Sequence, residues 1–376
     1  MNNQKNKRAE KVLPLRLLDI GNVSYLRSQT IYHGLAYAKK KDTPDTIVLN
    51  WSSEPYVCIG FHGELLREVD MKYCKDKGLP VLRRETGGGT VYLDENQLFA
   101  QWVFSKDNLP HKIDDRFDLF TRPMIQTYRC FDINAYVFPP NDVHVDGKKI
   151  VGTGAATIGD AEVMTGNFLF DFDSEAMSKV LSLPDGSFRK MTYDSLRQFM
   201  TSIKEETTEV PTFQELIDVY VAKCEKALNR PIERGEISEY EMNEIEKLDR
   251  KLSSKEWLYG DSMSKSTDRL VKIHGNVWLF ESTHQSKGGS IQIAMRTKGK
   301  LINNISIKGD FTFLPEYRLG AFEKFLKNVE IEKKSLKEVI EAFYELHEVD
   351  SPGIEVNDWV EVILKIKKQN ALTPFS

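Results

Sequence analysis

The sequence predicts an α+β protein in two domains, and three observations carry that expectation. Its 376 residues exceed the roughly 250–300 at which a single hydrophobic core stops growing. Extended and helical patterns interleave through the first two thirds of the chain. Near Trp257 the texture changes, and long strand patterns then give way to a helical end. Domains of residues 1–250 and 251–376 are therefore expected, each with strands and helices of its own.

Bulk composition narrows the function. An apolar fraction of 40%, with 20 Phe, 14 Tyr and 5 Trp, supplies a large core and argues against disorder. A net charge of only −4 gives no global basic field, so nucleic acid is not an expected partner. Cys58, Cys74, Cys130 and Cys224 form no CxxC pair, which suggests neither zinc nor a disulfide framework and suits a reducing cytoplasm. Residues 1–11 are polar and charged with no apolar run behind them, so no secretory signal is expected. No window approaches about 18 uninterrupted apolar residues, the length a membrane span needs.

In order, residues 14–20 read as a strand closed by Gly21-Asn22. Ser24 is a natural N-cap, and Ile31, Leu35 and Ala38 recur at helical spacing up to Lys40. Residues 46–51 and 55–60 are strands, the second entering a Phe61-His62-Gly63 turn. A helix over 68–77 stops at Gly78, and 80–84 is the strand before a run of glycines. Residues 97–104 form a core strand, 114–130 a helix and 134–137 a strand. Asp146-Gly147 between alternating apolar residues marks a hairpin whose return strand starts at Lys149. Gly152 and Gly154 then let a ligand or a backbone come close. After a strand over 163–172 the pattern is helical at 175–181, 193–201 and 212–227. Ser238 and Glu241 make a capping box for a charged helix to Lys251. Residues 253–260 read as extended. Residues 268–282 and 289–314 read as strands with turns at Gly275-Asn276 and Lys298-Gly299-Lys300, and helices over 318–327, 335–346 and 356–368 follow.

Two glycine-rich, base-flanked turns stand out. The first is Arg83-Arg84-Glu85-Thr86-Gly87-Gly88-Gly89-Thr90-Val91-Tyr92-Leu93-Asp94, and the second runs from Gly147 through Lys149 to Gly154. Glycines let an incoming group touch the main chain, and open N–H groups beside two guanidinium forks suit a carboxylate or phosphate. A glycine-rich hairpin beside two solvated arginines fits the first stretch as well. A P-loop is not supported, because Gly89 is followed by Thr90-Val91 rather than by Lys-Ser/Thr. Neither cluster has the GxGxxG form of a dinucleotide-binding turn.

Arg83-Arg84-x-x-Gly87-Gly88-Gly89-x-Val91-x-x-Asp94, followed by Asn141-Asp142-Val143 and Gly147-Lys148-Lys149-Ile150-x-Gly152, resembles the lipoate–protein ligase A family of the biotin and lipoate ligase superfamily. The segment from Pro55 to Gly60 and the stretch leading to Trp257-x-x-Gly260 are similar too. The resemblance implies a mixed-sheet catalytic domain with a smaller α+β accessory domain. It also implies an ATP-dependent reaction, in which lipoate and ATP give lipoyl-AMP and the acyl group passes to a lysine of a lipoyl carrier domain. That carrier would be a 2-oxoacid dehydrogenase E2 subunit or a glycine-cleavage H-like protein.

By the same resemblance Lys149 is catalytic, touching both acyl carbonyl and α-phosphate. Arg83, Arg84, Gly87, Gly88, Gly89, Val91, Asp94, Asn141, Asp142, Gly152 and Thr153 line the acyl and ATP sites, with Asp142 holding Mg²⁺. Asp142 also fits a plain turn residue, Arg84 a surface charge and Lys148 a solvated one. Three places depart from the family pattern: Leu93 stands where a histidine is usual, Phe61-His62-Gly63-Glu64 replaces a Gln-rich loop, and Thr165-Gly166 replaces His-Gly. These leave open an ATP-independent octanoyl- or lipoyl-transferase, which would need a cysteine nucleophile, a biotin ligase, and a non-catalytic binding homologue.

Overall fold

A computed structural model describes residues 14–61, 63–139, 141–259, 269–311, 313, 315 and 318–370. The expectations for residues 1–11, His62, Gly260, 261–268 and Leu314 lie outside the described residues. The chain forms two compact units. One comprises residues 1–63, 74–173 and 200–260; the other comprises 64–73, 174–199 and 261–376.

The strands of the first unit are β1 (Leu15–Val23), β2 (Thr46–Ser52), β3 (Tyr56–Ile59), β4 (Val81–Arg83), β5 (Val91–Leu93), β6 (Gln97–Ser105), β7 (Tyr136–Phe138), β8 (Asp142–Val145), β9 (Lys148–Val151), β10 (Thr153–Ile158), β11 (Ala161–Leu169) and β12 (Ile232–Arg234). Six of them build a mixed sheet in the order β10-β11-β6-β2-β1-β12, with β1 parallel to β2 and β12 and the other pairs antiparallel. Its central strands are apolar on both faces, as a sheet covered on both sides must be. In β6, Leu98, Ala100, Trp102 and Phe104 face one core, while Val103 faces another.

The first core is closed by α4 (Ile113–Cys130) and α8 (Phe213–Leu228), through Phe120, Met124, Tyr128, Leu216 and Tyr220. The second is closed by α1 (Tyr25–Ala38) and α9 (Glu239–Leu252), through Ile31, Leu35 and Ile245. Gly34 makes that second layer possible, because a Cβ there would sit 2.5 Å from Ile245 Cγ1. Ser24 caps α1 and the Ser238–Glu241 capping box opens α9, as the sequence predicts. Two small sheets, β4-β3-β5 and β7-β8-β9, stand apart from the main one and carry the two glycine-rich turns.

In the second unit β13 (Arg269–His274), β14 (Val277–Ser286), β15 (Gly289–Lys298) and β16 (Leu301–Phe311) form an antiparallel meander. Helices α11 (Leu319–Phe325), α12 (Lys333–His347) and α13 (Val356–Asn370) pack on it around Phe322, Phe343, Trp359 and Ile363. The inserted segment with α5 (Ser174–Val180) and α6 (Gly186–Phe199) joins this unit through Arg296 to Ser195 and Lys308 to Asp185.

Several local expectations are corrected: the helix expected at 193–201 covers 186–199, and the strand expected to close at Gly21-Asn22 runs on to Val23. The helix expected at 68–77 is two pieces, α2 (Leu65–Glu68) and α3 (Met71–Asp76), because Val69 bridges to Leu181 and the Asp70 amide donates to Val180 O. Residues 253–260 are not extended but contain α10 (Lys255–Tyr259), capped by the Ser254 hydroxyl on the Trp257 amide. The strand expected at 163–172 starts at Ala161 and ends at Leu169. Finally, β5, β10, β12 and the one-turn α7 (Ile203–Glu206) are elements that the sequence reading does not predict.

Candidate active site

The glycine loop joins β4 to β5, which flank β3 on either side. Both arginines of this stretch turn toward main-chain carbonyls. Arg84 donates to Cys58 O at 3.1 Å, Gly87 O at 2.7 Å and Gly89 O at 2.9 Å. The loop is thus wrapped round a guanidinium with its carbonyls inward. The N–H groups of Gly87, Gly88 and Gly89 donate to no group among the described residues, and Gly88 and Gly89 are exposed. Such a turn, with amides outward and a cation behind, is an anion cradle. Gly88 has φ +95°, and a Cβ on Gly60 would lie 2.0 Å from Gly88 O, so two glycines are fixed by geometry.

Arg83 is buried and serves as a staple. Its guanidinium donates to Phe61 O at 2.9 Å, Gly63 O at 2.7 Å and Leu258 O at 3.0 Å. Trp257 returns a bond from its indole N–H to Arg83 O at 2.9 Å. The loop's other side is held by Glu85, which accepts from Tyr37 Oη at 2.8 Å and pairs with Lys251; the Lys251 ammonium lies 4.1 Å over the Trp257 ring. The Glu85 amide donates to His33 Nε2 at 3.0 Å while His33 Nδ1 sits 2.7 Å from Gln29 O, which fixes the neutral tautomer with hydrogen on Nδ1. Burial pushes the His33 pKa down to about 4, with Lys251 and Arg84 adding to it and the Gln29 carbonyl and Glu85 opposing.

The second turn is the expected hairpin. Asp146 and Gly147 both have positive φ, +47° and +81°, which a two-residue turn of this hand requires. The two-residue turn puts Lys148 opposite Val145 and Lys149 opposite His144, and a register shift at Val143/His144 then brings Val151 opposite Val143. Lys149 Nζ is 2.9 Å from Asp142 Oδ1, with the carboxylate almost wholly buried. The backbone of Lys149 is anchored by the Thr201 amide at 2.9 Å. His144 shares the Asp142 face and stacks on Phe138 with centroids 4.3 Å apart. Burial lowers its pKa to about 4, the Asp142 charge opposing and Lys149 reinforcing the shift.

The remaining predicted residues support these two turns. Val91 pairs with Cys58, and Leu93 pairs with Tyr56 inside a small core with Leu82 and Phe99, so its apolar side chain fits its surroundings. Asp94 accepts the Asn96 amide at 3.0 Å, and burial raises its pKa. Thr153 Oγ1 donates to Asn141 O at 2.6 Å, closing the base of the hairpin. Gly152 and Gly154 lie between the turns. A Cβ on Gly154 would sit 4.0 Å from Thr86, and one on Gly152 would sit 3.7 Å from Lys149 Cε and 3.9 Å from its Nζ. Space beside the ammonium is therefore left open by the missing side chain.

Sequence reasoning missed His33, Glu85, Lys251, His144 and Asn167. For His144 the signal was present, since residues two apart on a strand share a face. The others depend on contacts between distant segments.

A mixed sheet is thus sandwiched by helices, with the glycine cradle and a paired lysine carried on two small sheets. The family model for the lipoyl protein ligase A/B catalytic domain matches residues 25–225, more than half of the chain, and the chain belongs to that family. The model for the bacterial lipoate protein ligase C-terminus matches residues 279–363.

Lipoate-protein ligase LplJ of Bacillus subtilis is 24% identical over 306 residues, covering 81% of this chain and 87% of its own. Octanoyltransferase LipM of Anoxybacillus flavithermus is 21% identical over 268 residues, 64% of this chain and 96% of its own. Among solved structures, the bi-partite lipoate protein ligase of Thermoplasma acidophilum, described with its E2 lipoyl domain, superposes with TM-score 0.61 at 24% identity over 68% of this chain and 99% of that one. A lipoate-protein ligase A bound with ATP gives 0.57 at 22% identity, over 66% and 99%. At these identities the superpositions speak to the fold.

Proposed function

We propose that the chain is an ATP-dependent lipoate–protein ligase. It would activate lipoate, or the related octanoate, as the acyl-adenylate and pass the acyl group to a lysine of a lipoyl carrier domain. The observation that carries this reading is the pair of charge-receiving elements in one unit: outward amides over the Arg84 guanidinium, and the Lys149 ammonium beside the space left by Gly152. A carboxylate attacking an α-phosphate brings two anions together, so catalysis calls for positioning and electrostatic stabilisation rather than a protein nucleophile.

In the first half-reaction the substrate carboxylate oxygen bonds to the α-phosphorus and the bond to pyrophosphate breaks. Lys149 stabilises charge on the phosphoryl oxygens, and the Gly87–Gly89 amides receive anionic oxygens. In the second, a carrier lysine amine attacks the acyl carbonyl, AMP leaves, and Lys149 stabilises the oxyanion. Asp142 holds the ammonium in place. Its single carboxylate also fits Mg²⁺, an ion that keeps most of its shell as water and phosphate oxygens. Bound there, the ion would offset phosphate charge. Arg83, Arg84, Val91, Asp94 and Thr153 act by holding the loops, and Asn141 by anchoring Thr153.

The ATP-bound and lipoyl-domain-bearing neighbours support ATP and a lipoyl carrier as reactants. The octanoyltransferase alternative needs a thiolate nucleophile. Cys58, Cys74 and Cys224 are buried, burial raises the Cys58 pKa, and the exposed Cys130 ends α4 rather than lying in the Lys149 hairpin. Incubation with ATP, Mg²⁺, lipoate and an unmodified E2 lipoyl domain or H-like protein should add one lipoyl mass to the carrier. Transfer from octanoyl carrier protein without ATP, and none from free lipoate with ATP, would overturn the ligase reading.

A further inference from the structure

Between the two turns runs a chain of side-chain amides that the reaction sketched above does not use. Asn167, on β11, accepts the Gly152 amide through Oδ1 at 3.2 Å and donates through Nδ2 to Gln97 Oε1 at 2.8 Å. Gln97, buried at the start of β6, donates through Nε2 to Tyr92 O at 3.2 Å and to Asp94 Oδ1 at 3.4 Å. The orientation of both amides is forced by their neighbours. A backbone N–H can only donate, so Asn167 must turn its oxygen to Gly152. Gln97 must then turn its oxygen to Asn167, which leaves its NH₂ for the carbonyl and the carboxylate, both acceptors. The chain has one polarity from end to end.

Its ends are informative. At one end is Asp94, which terminates the glycine-loop strand β5; at the other is the Gly152 peptide, whose absent side chain leaves a spot 3.6 Å from Asn167 Oδ1 and 3.9 Å from Lys149 Nζ. Gly152 sits at the junction of β9 and β10, outside both strands, so the Asn167 carboxamide is the partner that fixes its peptide plane. Tilting that peptide would move the wall of the space beside the ammonium.

We propose that Asn167 is a positioning residue of this site: through Gly152 at one end and Gln97 at the other, it sets the Lys149 turn relative to the strand that leaves the glycine loop. The inference rests on the ligase reading for its kinetic consequence, but its structural part does not. Because misplacement by about 1 Å can cost roughly 100-fold in rate, Asn167→Leu, which keeps the branching at Cγ in a somewhat larger side chain and removes both bonds, should lower kcat for acyl-adenylate formation by about 10- to 100-fold. The KM for the acid should change little. Asn167→Asp keeps the acceptor for Gly152 and should recover a substantial part of kcat.

Substrate-free hydrogen exchange on the full-length protein supplies the independent readout. Peptides covering 150–154 should exchange faster in Asn167→Leu and return toward wild type in Asn167→Asp, while peptides from α4 and α8 stay protected. A rise in KM with unchanged kcat, or equal loss in both variants, overturns the positioning role, as does unchanged exchange at 150–154. If the wild type activates no acid at all, the ligase reading fails, and the exchange result alone still decides whether Asn167 sets this turn.

Discussion

His33 is a buried base that the glycine loop uses as an acceptor. Its Nε2 takes the Glu85 amide, so protonation would set one donor against another. Its pKa of about 4 lies below the ordinary 6.5, so between those values the unfolded chain binds the proton and the folded chain does not. The stabilisation is therefore complete above about pH 6.5 and lost as pH falls toward 4, with a ceiling of about 3 kcal/mol at 1.36 kcal/mol per unit. Urea unfolding across pH 4–7 should show that slope added to a similar one from His144, whose pKa burial also lowers to about 4, and His33→Gln should remove roughly half of the total; an unchanged slope in the variant would assign it to other groups. Nothing in the sequence near His33 announces this, because its partner lies 52 residues on. The place of Lys149, by contrast, was legible to within one residue, since the Asp146-Gly147 turn located the return strand, which begins at Lys148 rather than Lys149. The arginines were legible as residues and not as roles. A guanidinium beside three glycines can face an anion or its own loop, and the path of the loop decides.

At the scale of elements, the six-stranded sheet could be read where strands were long and apolar, and could not where pairing alone makes a strand, as in β10 and β12. The α1–α9 contact is closely packed at Gly34. Gly34→Ala gains about 0.5–1 kcal/mol in helix propensity, but its Cβ would fall 2.6 Å from Ile245 Cα, against backbone that cannot rotate away. Overpacking of this kind costs about 1–3 kcal/mol and should win. A lower urea midpoint for Gly34→Ala is expected, and a raised one would show that the two helices separate freely. Since α9 also supplies Lys251 to Glu85, the same substitution should loosen the glycine loop.

For the whole molecule, composition and the change of pattern near Trp257 pointed to two domains, with a single cut near residue 250. The two compact units are instead interleaved in sequence, each drawing on three segments. The physical reason is that the second sheet has two apolar faces. Phe280, Ile291 and Ile293 face α11–α13, while Val277 and Leu279 are also fully buried. Residues 174–199 lie far from the sheet in sequence, yet Arg296 bonds Ser195 across it, a partnership no local pattern reveals. A fragment of residues 261–376 should accordingly fold poorly alone. Adding a 174–199 peptide should restore its circular-dichroism melt; a cooperative melt without the peptide would contradict the division.

The central claim is that Lys149 and the glycine cradle activate an acid with ATP, and pyrophosphate exchange tests it most directly. Wild-type protein with lipoate or octanoate, Mg²⁺ and ATP should incorporate labelled pyrophosphate into ATP without any carrier. Lys149→Ala should show none, and Lys149→Arg, which keeps a cation for the buried Asp142, should hold the melting temperature yet exchange far more slowly. Near wild-type exchange by Lys149→Ala, or no acid-dependent exchange by the wild type, would contradict the account.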